Sequence, residues 1–375
     1  MKGRYPPVHF AVDLSLATSF TWITVDLIMA LQEIGAAVSL TTTGLSDSIE
    51  PRYRRALPPL MKVQRPGVCS IGWAHYWAPY QIMRPTGKGA MTFVALNHLL
   101  AAPFGEPSDA WMQQVAADPA WKLAISNFCG HTLLQNGIDS RRIRVINLGY
   151  TPEVDFVGEA AELDTDRHFR FLTVTNSSDP VRFGTDLVIQ AYAQEFAAKD
   201  DVCLVIKDYN PTSRRILEYL DRCRPRAPYL YLAEFTSRER MVGLYRACQA
   251  FVSAARGEGF GIKVLDALAC GLPVVVPVFG GLRDFCVDPG VYPVDYRYGS
   301  ADECVDVAAL RTKGEPVWCQ ARMTSIRQRM REVFENAEEA KRNGQQAARF
   351  VREHFGWRQV GLKLLSTVEE VLSYE

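Results

Sequence analysis

The sequence predicts an α/β protein of two Rossmann-like domains, each a parallel sheet wrapped by helices. Three observations point there. A chain of 375 residues is long enough for two cores rather than one. From residue 169 onward, short β-rich runs alternate with segments of helical periodicity, as in a parallel sheet whose crossovers are helices. Between the halves, "YTPEVDFVGEAAELDTDRH" mixes proline, glycine and acids without sustained periodicity, as linkers do.

In chain order, the first half offers "HFAVDL", "AAVSLTT", "GVCSIG", "MTFVAL", "KLAISN" and "RIRVINLG" as strands, with helices near residues 19 to 35 and 128 to 137. The hinge falls within residues 150 to 168. The second half offers "FRFLTVT", "VCLVIK", "YLYLAE", "AFVSA" and "PVVVP" as strands. Between them, "DLVIQAYAQEFA" and "ERMVGLYRAC" place apolar residues three and four apart, the stripe of a helix lying on a sheet. The expected division is 1–155 for the first domain, 156–168 for a linker, 169–350 for the second domain and 351–375 for a C-terminal helix, the last from the periodicity of "QQAARFVREHFGWRQVGLKLLSTVEEVLSYE".

Composition narrows the function. Lysine plus arginine equals aspartate plus glutamate at 42 each, so no whole-molecule field would gather nucleic acid. The nine cysteines are scattered and never spaced C-x-x-C, which fits reduced thiols better than a disulfide framework or a zinc site. The first twenty residues carry prolines and an aspartate where a signal peptide needs an apolar run, and no run of about twenty apolar residues occurs. A cytoplasmic protein is expected.

The stretch "ARGEGFGIKVLDALACGLPVVVP" carries the chemistry. It reads as a glycine-rich loop, a helix over Ile262–Cys270 stopped by Gly271 and Pro273, and a strand. The loop follows the strand "AFVSA", so the helix N-terminus lies at the carboxyl edge of a parallel sheet, where doubly wound folds bind ligands. Its first N–H groups lack partners within the helix and can receive an anion, with Gly259 and Gly261 allowing close approach. Glu258 sits at that mouth. Lys263 and Asp266, three apart, share a helix face; Asp266 either faces a cleft or pairs with Lys263, and Glu258 is either a ligand or a solvated loop acid. A dinucleotide fingerprint is not matched, because Val264 stands where G-x-G-x-x-G needs its last glycine.

"EGFGIKVLDALACGLPVVV" resembles the signature of family 4 retaining glycosyltransferases, two acids flanking seven residues beside a G-F-G loop. The similarity extends through "SRERMVGLYRACQAFVSAARGEGFG", "FGGLRDF", "FVREHFGWRQV" and "RIRVINLGYTPEVDF" and spans residues 121 to 360. It implies the GT-B architecture, two Rossmann-like domains facing across a cleft, with the last helix crossing back onto the first domain. It implies a metal-independent, hexosyltransferase-like enzyme that needs no cofactor and moves a sugar from a nucleotide sugar to a carbohydrate, lipid-linked or small-molecule acceptor. By position, Glu258 and the backbone of Gly259, Phe260, Gly261 and Ile262 would hold the donor sugar, Asp266 the ribose, and Arg182 and Lys207 the diphosphate.

The chain departs from the family in having Asp266 where glutamate is usual, Asn176 and Ser177 where Gly-Arg is common, and Phe183 where lysine is usual. Ala17, Thr18 and Ser19 replace an N-terminal glycine-rich loop. These departures keep a second reading open, a non-catalytic GT-B-like protein that binds a nucleotide or glycan as the partner of another enzyme. His75 and His98 are candidates on the acceptor side, competing with a plain packing role. Asp164 and Asp166 form a D-x-D inside the hinge and read as a solvated linker rather than a metal site. "PRYRRALPPLMKVQR" gathers five basic residues, which suit either a solvated loop or peripheral contact with a membrane surface or an anionic acceptor.

Overall fold

A computed structural model describes residues 5–15, 18–62, 69–75, 85, 87, 89–96, 110–156, 158–234, 236–300 and 317–374. The chain divides into two compact units. The first takes the described residues up to Gly149 and those from Phe355 on; the second takes the described residues from Tyr150 to His354.

The first unit is a six-stranded, all-parallel sheet of β1 (Val8–Ala11), β2 (Val38–Thr41), β3 (Cys69–His75), β4 (Met91–Ala95), β5 (Trp121–Ala124) and β6 (Ile143–Val145), in the order β2-β1-β3-β4-β5-β6. Its helices are α1 (Ser19–Glu33), α2 (Pro51–Ala56), α3 (Pro58–Met61), α4 (Ala110–Ala117) and α5 (Asn127–Gln135). The Thr18 hydroxyl caps α1 by accepting from the Thr21 N–H at 3.4 Å, and Ser126 caps α5 by accepting from the Cys129 N–H at 3.1 Å. Of the small residues after β1, Thr18 is thus the cap and Ser19 the first helical residue, while Ala17 lies outside the described residues. Over its described residues the basic stretch is helical rather than a loop: its prolines open α2 and α3, and Arg52 and Arg54 pair with Glu50 (3.0 Å) and Asp47 (2.5 Å).

The second unit repeats the design with β7 (Phe169–Thr175), β8 (Val202–Asp208), β9 (Tyr229–Ala233), β10 (Ala250–Val252), β11 (Val274–Val276) and β12 (Val291–Pro293), parallel throughout in the order β12-β11-β10-β7-β8-β9. Its helices are α6 (Thr185–Glu195), α7 (Arg215–Cys223), α8 (Arg238–Ala247), α9 (Ile262–Ala269), α10 (Met323–Glu335) and α11 (Ala337–His354), and an antiparallel pair, β13 (Tyr296–Ser300) with β14 (Val317–Ala321), completes it. Strand β8 is buried along its whole length, as expected where both faces of a parallel sheet are covered.

The final helix, α12 (Trp357–Tyr374), belongs to the first unit and packs on α1. Arg144 at β6 grips Glu370 of α12, with Nη2 2.6 Å from Oε1. The returning element begins later than residue 351, because α11 runs on to His354 and is held by the Arg352 guanidinium donating to the Ala269 carbonyl at 2.9 Å.

Residues 150–156 and 158–168 are part of the second unit, since their backbone polar groups find partners there. The Ala161 N–H donates to the Gly243 carbonyl (2.9 Å), and the Arg246 guanidinium donates to the carbonyls of Val154 (3.2 Å) and Phe156 (2.7 Å). The described cysteines are free thiols. Among the described residues no helix is long and apolar enough to cross a membrane.

One contact tests the return of α12. A Cβ on Gly361 would stand 2.9 Å from Ile34 Cδ1 of the loop after α1, so Gly361→Leu should destabilise the first unit by about 1–3 kcal/mol through overpacking. Leu362→Ala, on the exposed face, should stay within about 0.5 kcal/mol of the parent. Chemical denaturation of both variants measures the contrast, and equal stability would remove this contact from the account.

Candidate functional site

In the second sheet the strand order reverses between β7 and β10, and the loops leaving the carboxyl ends of those strands, residues 176–184 and 253–261, lie side by side. Such a reversal point is where an open α/β sheet offers a ligand a crevice.

The two loops touch backbone to backbone. Gly184, at φ 67°, precedes α6, and a Cβ there would fall 1.9 Å from the Ala254 carbonyl oxygen. The Arg256 N–H donates to the Arg182 carbonyl at 2.7 Å, and the Arg256 guanidinium grips Asp186 at 2.8 Å through both nitrogens. On its other side the 253–261 loop meets the turn Gly280–Asp284, where a Cβ on Gly281 would come within 2.2 Å of the Gly259 carbonyl oxygen. Phe260 is buried 5.2 Å from the Phe285 ring, so its side chain anchors the loop while its backbone stays at the crevice.

Between the loops sits a compact set of charges. Arg182 Nε lies 2.6 Å from Asp179 Oδ2, and Arg182 Nη1 donates to the Gly257 carbonyl at 3.3 Å. Burial works against the guanidinium's charge, but Asp179 and Glu258 outweigh it and raise its pKa. Glu258 is buried with Oε1 3.1 Å from Lys263 Nζ. That pairing corrects the expected Lys263–Asp266 neighbourhood: Lys263, in the first turn of α9, reaches back to the preceding loop instead of along its own helix.

Asp266 turns the other way. Its two carboxylate oxygens accept from the Thr151 N–H (2.7 Å) and the Thr151 hydroxyl (2.8 Å), clamping the start of the unit onto α9. Burial pushes its pKa up to about 6, against the lowering effect of those two hydrogen bonds. A carboxylate has about four acceptor positions, so the two Thr151 contacts leave about two for a ligand's hydroxyls.

Lys207 is the last residue of the expected strand "VCLVIK". It lies instead inside β8, one residue before the end, because the strand continues through Asp208. The side chain is fully buried, and Nζ donates to the carbonyls of Asp208 (3.3 Å), Leu232 (3.4 Å) and Glu234. Asp208 is the better clue to local order: its carboxylate accepts from the N–H groups of Ser177 (3.2 Å) and Asn210 (3.0 Å) and from the Tyr231 hydroxyl (2.8 Å), tying the loops after β7 and β8 together. His75 ends β3 with its side chain outside the described residues, and His98 lies outside them altogether. Asp164 and Asp166 are exposed in the segment before β7.

Sequence reasoning missed Asp179, Tyr209 and the Arg256–Asp186 pair. Only the last had a visible signal, a charged residue between the apolar strand β10 and the glycine loop. Tyr209 stands exposed 5.9 Å from the Phe183 ring at the rim of the charge cluster.

Residues 180–290 match the family described as glycosyl transferases group 1. A D-inositol 3-phosphate glycosyltransferase of Frankia alni is 26% identical over 249 residues, covering 60% of this chain and 61% of that protein. The chain therefore spans about three fifths of that relative's length. Among solved structures, a glycosyltransferase from Rickettsia africae aligns with a TM-score of 0.64 at 14% identity over 99% of this chain and 100% of the other. Anabaena HepE in complex with UDP-glucose aligns with a TM-score of 0.62 at 12% identity, again over 99% and 100%. These likenesses establish the GT-B fold.

The raised pKa of Asp266 gives a signed prediction. Its folded value of about 6 exceeds the ordinary 3.8, so the folded state holds this proton more tightly, and the resulting stability is full below about pH 4 and lost as pH rises through about 6. Asp266→Asn can accept from the Thr151 N–H through its amide oxygen and donate its amide N–H to the Thr151 hydroxyl oxygen, without a charge to desolvate. It should flatten the stability profile between about pH 4 and 6 and, above pH 7, leave the protein more stable by on the order of 2 kcal/mol. Denaturation midpoints across pH measure this; a variant less stable than the parent at pH 7.5 would overturn it.

Proposed function

We propose, from the match of residues 180–290 to the glycosyl transferases of group 1, that this chain moves a sugar from a nucleoside-diphosphate sugar to an acceptor hydroxyl, with retention at the anomeric carbon and without a metal ion. The observation that carries the reading is the meeting, at the reversal point of the second sheet, of Arg182, Glu258 and the N-terminus of α9. The complex of HepE with UDP-glucose supports the donor class.

The donor's diphosphate is assigned to Arg182 and to the first N–H groups of α9, whose cap, Gly261, supplies no side chain to satisfy them. As the bond from the anomeric carbon to phosphate breaks, negative charge grows on the leaving oxygen, and a fixed guanidinium with aligned peptide dipoles stabilises that charge more than the ground state. The new bond to the acceptor oxygen forms on the same face, and the acceptor's proton passes to the departing phosphate. Glu258, with the backbone of Gly259 through Ile262, is assigned to the sugar hydroxyls. Asp266 is assigned to the ribose diol through the acceptor positions that Thr151 leaves open.

Two substitutions separate these roles, because a free nucleoside diphosphate has ribose but no sugar. Glu258→Gln should lower turnover of the full donor without weakening the free diphosphate. Asp266→Asn should weaken the free diphosphate by about 1.5–3 kcal/mol, the loss of a charge-assisted hydrogen bond. Calorimetry with the diphosphate and initial rates with the donor read both, and two variants behaving like the parent would take the acids out of the site. Turnover should also survive EDTA; abolition by EDTA with recovery on adding magnesium or manganese would overturn the assignment of the diphosphate to Arg182 and α9.

A further inference from the structure

Lys263 is held at a cost that its packing does not explain. It lies in the first turn of α9, where the helix dipole disfavours a cation. Only 20% of its side chain is exposed, and burial, reinforced by the nearby Arg182, pulls its pKa down against the pull of Glu258. Its Nζ stands 3.6 Å from the centroid of the Phe183 ring, and the Arg182 guanidinium lies 4.3 Å from the same centroid. Two cations thus share one aromatic ring. Each has a carboxylate of its own, Asp179 for Arg182 at 2.6 Å and Glu258 for Lys263 at 3.1 Å. A purely structural position would be served by an apolar residue on the short helix whose other residues, from Val264 to Ala269, are buried.

We propose that Lys263 is the second cation for the donor's diphosphate, paired with Glu258 as seen here and transferring to phosphate oxygens when the donor binds. The transfer does two things at once. It places two positive charges around the diphosphate, and it releases the Glu258 carboxylate for the sugar hydroxyls, so diphosphate binding prepares the sugar subsite. Phe183 is a positioning residue here, a wall that keeps the lysine stem from folding away. The inference rests on the transferase reading above, since it assigns a further residue to the same site.

The test compares a nucleoside diphosphate with its monophosphate. UDP, GDP, ADP and TDP are titrated into the parent by calorimetry, and the tightest binder and its monophosphate are then titrated into Lys263→Met and Lys263→Gln, with circular dichroism checking the fold. The expected result is about a tenfold or greater loss of diphosphate affinity with a distinctly smaller loss for the monophosphate, the signature of a lost charge-assisted contact. Phe183→Lys in the Lys263→Met background should restore part of the preference for diphosphate, because a lysine stem at 183 starts from the ring that Nζ now covers. A parent that binds the diphosphate while both neutral variants bind it equally well would overturn the role of Lys263 and leave the transferase reading standing. A parent that binds none of the four would overturn both. If the neutral variants do not fold, the Phe183→Lys double variant decides: folded and without diphosphate preference, it counts against the proposal.

Discussion

Two backbone approaches flanking the 253–261 loop leave no room for a Cβ, and the site's geometry depends on them. At Gly184 the loop after β7 lies against the backbone of Ala254, and at Gly281 a later turn lies against Gly259. The contacts press the 253–261 loop from both sides, so its position is fixed by main chain rather than by adjustable side chains. Arg182 lies two residues before Gly184, and Glu258 one before Gly259. A side chain at either glycine would part the layers by more than a hydrogen bond tolerates, and Arg182 would no longer meet the Gly257 carbonyl at 3.3 Å.

Around this frame, buried charges are matched rather than avoided. Arg256 closes on Asp186 with two contacts of 2.8 Å, Lys207 is enclosed by three carbonyls, and Asp208 collects donors from three residues. Each is a local solution to the cost of removing a polar group from water. Arg182, Glu258 and Lys263 differ in place, because they gather at the mouth of the sheet rather than within it, and the function proposed above would have them exchange partners when the donor binds.

The sequence carried much of this plainly. Strands such as β8 read correctly because burial on both faces makes a nearly continuous apolar run, and α9 read correctly because its loop and stop signals bracket an octet that is apolar except at Lys263 and Asp266. What it could not carry was partner choice. Lys263 and Asp266 are three apart, and helical spacing makes them neighbours; it says nothing of a lysine that reaches backward into a loop or an aspartate captured by Thr151, over a hundred residues earlier. The stretch 158–168 reads as a linker for the same reason, since it has no period of its own and its contacts are to distant residues, as where the Ala161 N–H meets Gly243 of α8 and the His168 N–H meets Asp201. Nor does the run "VCLVIK" reveal that β8 continues through Asp208 or that the carbonyls of Asp208, Leu232 and Glu234 enclose the Lys207 ammonium.

The return of α12 makes the order of synthesis differ from the order of completion. The first unit is begun at the start of the chain, yet the helix that covers α1 is translated only after every residue of the second unit. On the ribosome, the second unit can therefore close while the first still exposes the apolar face that α12 will cover. A ribosome stalled after His354 would carry a complete second unit and a first one still lacking the helix that packs on α1.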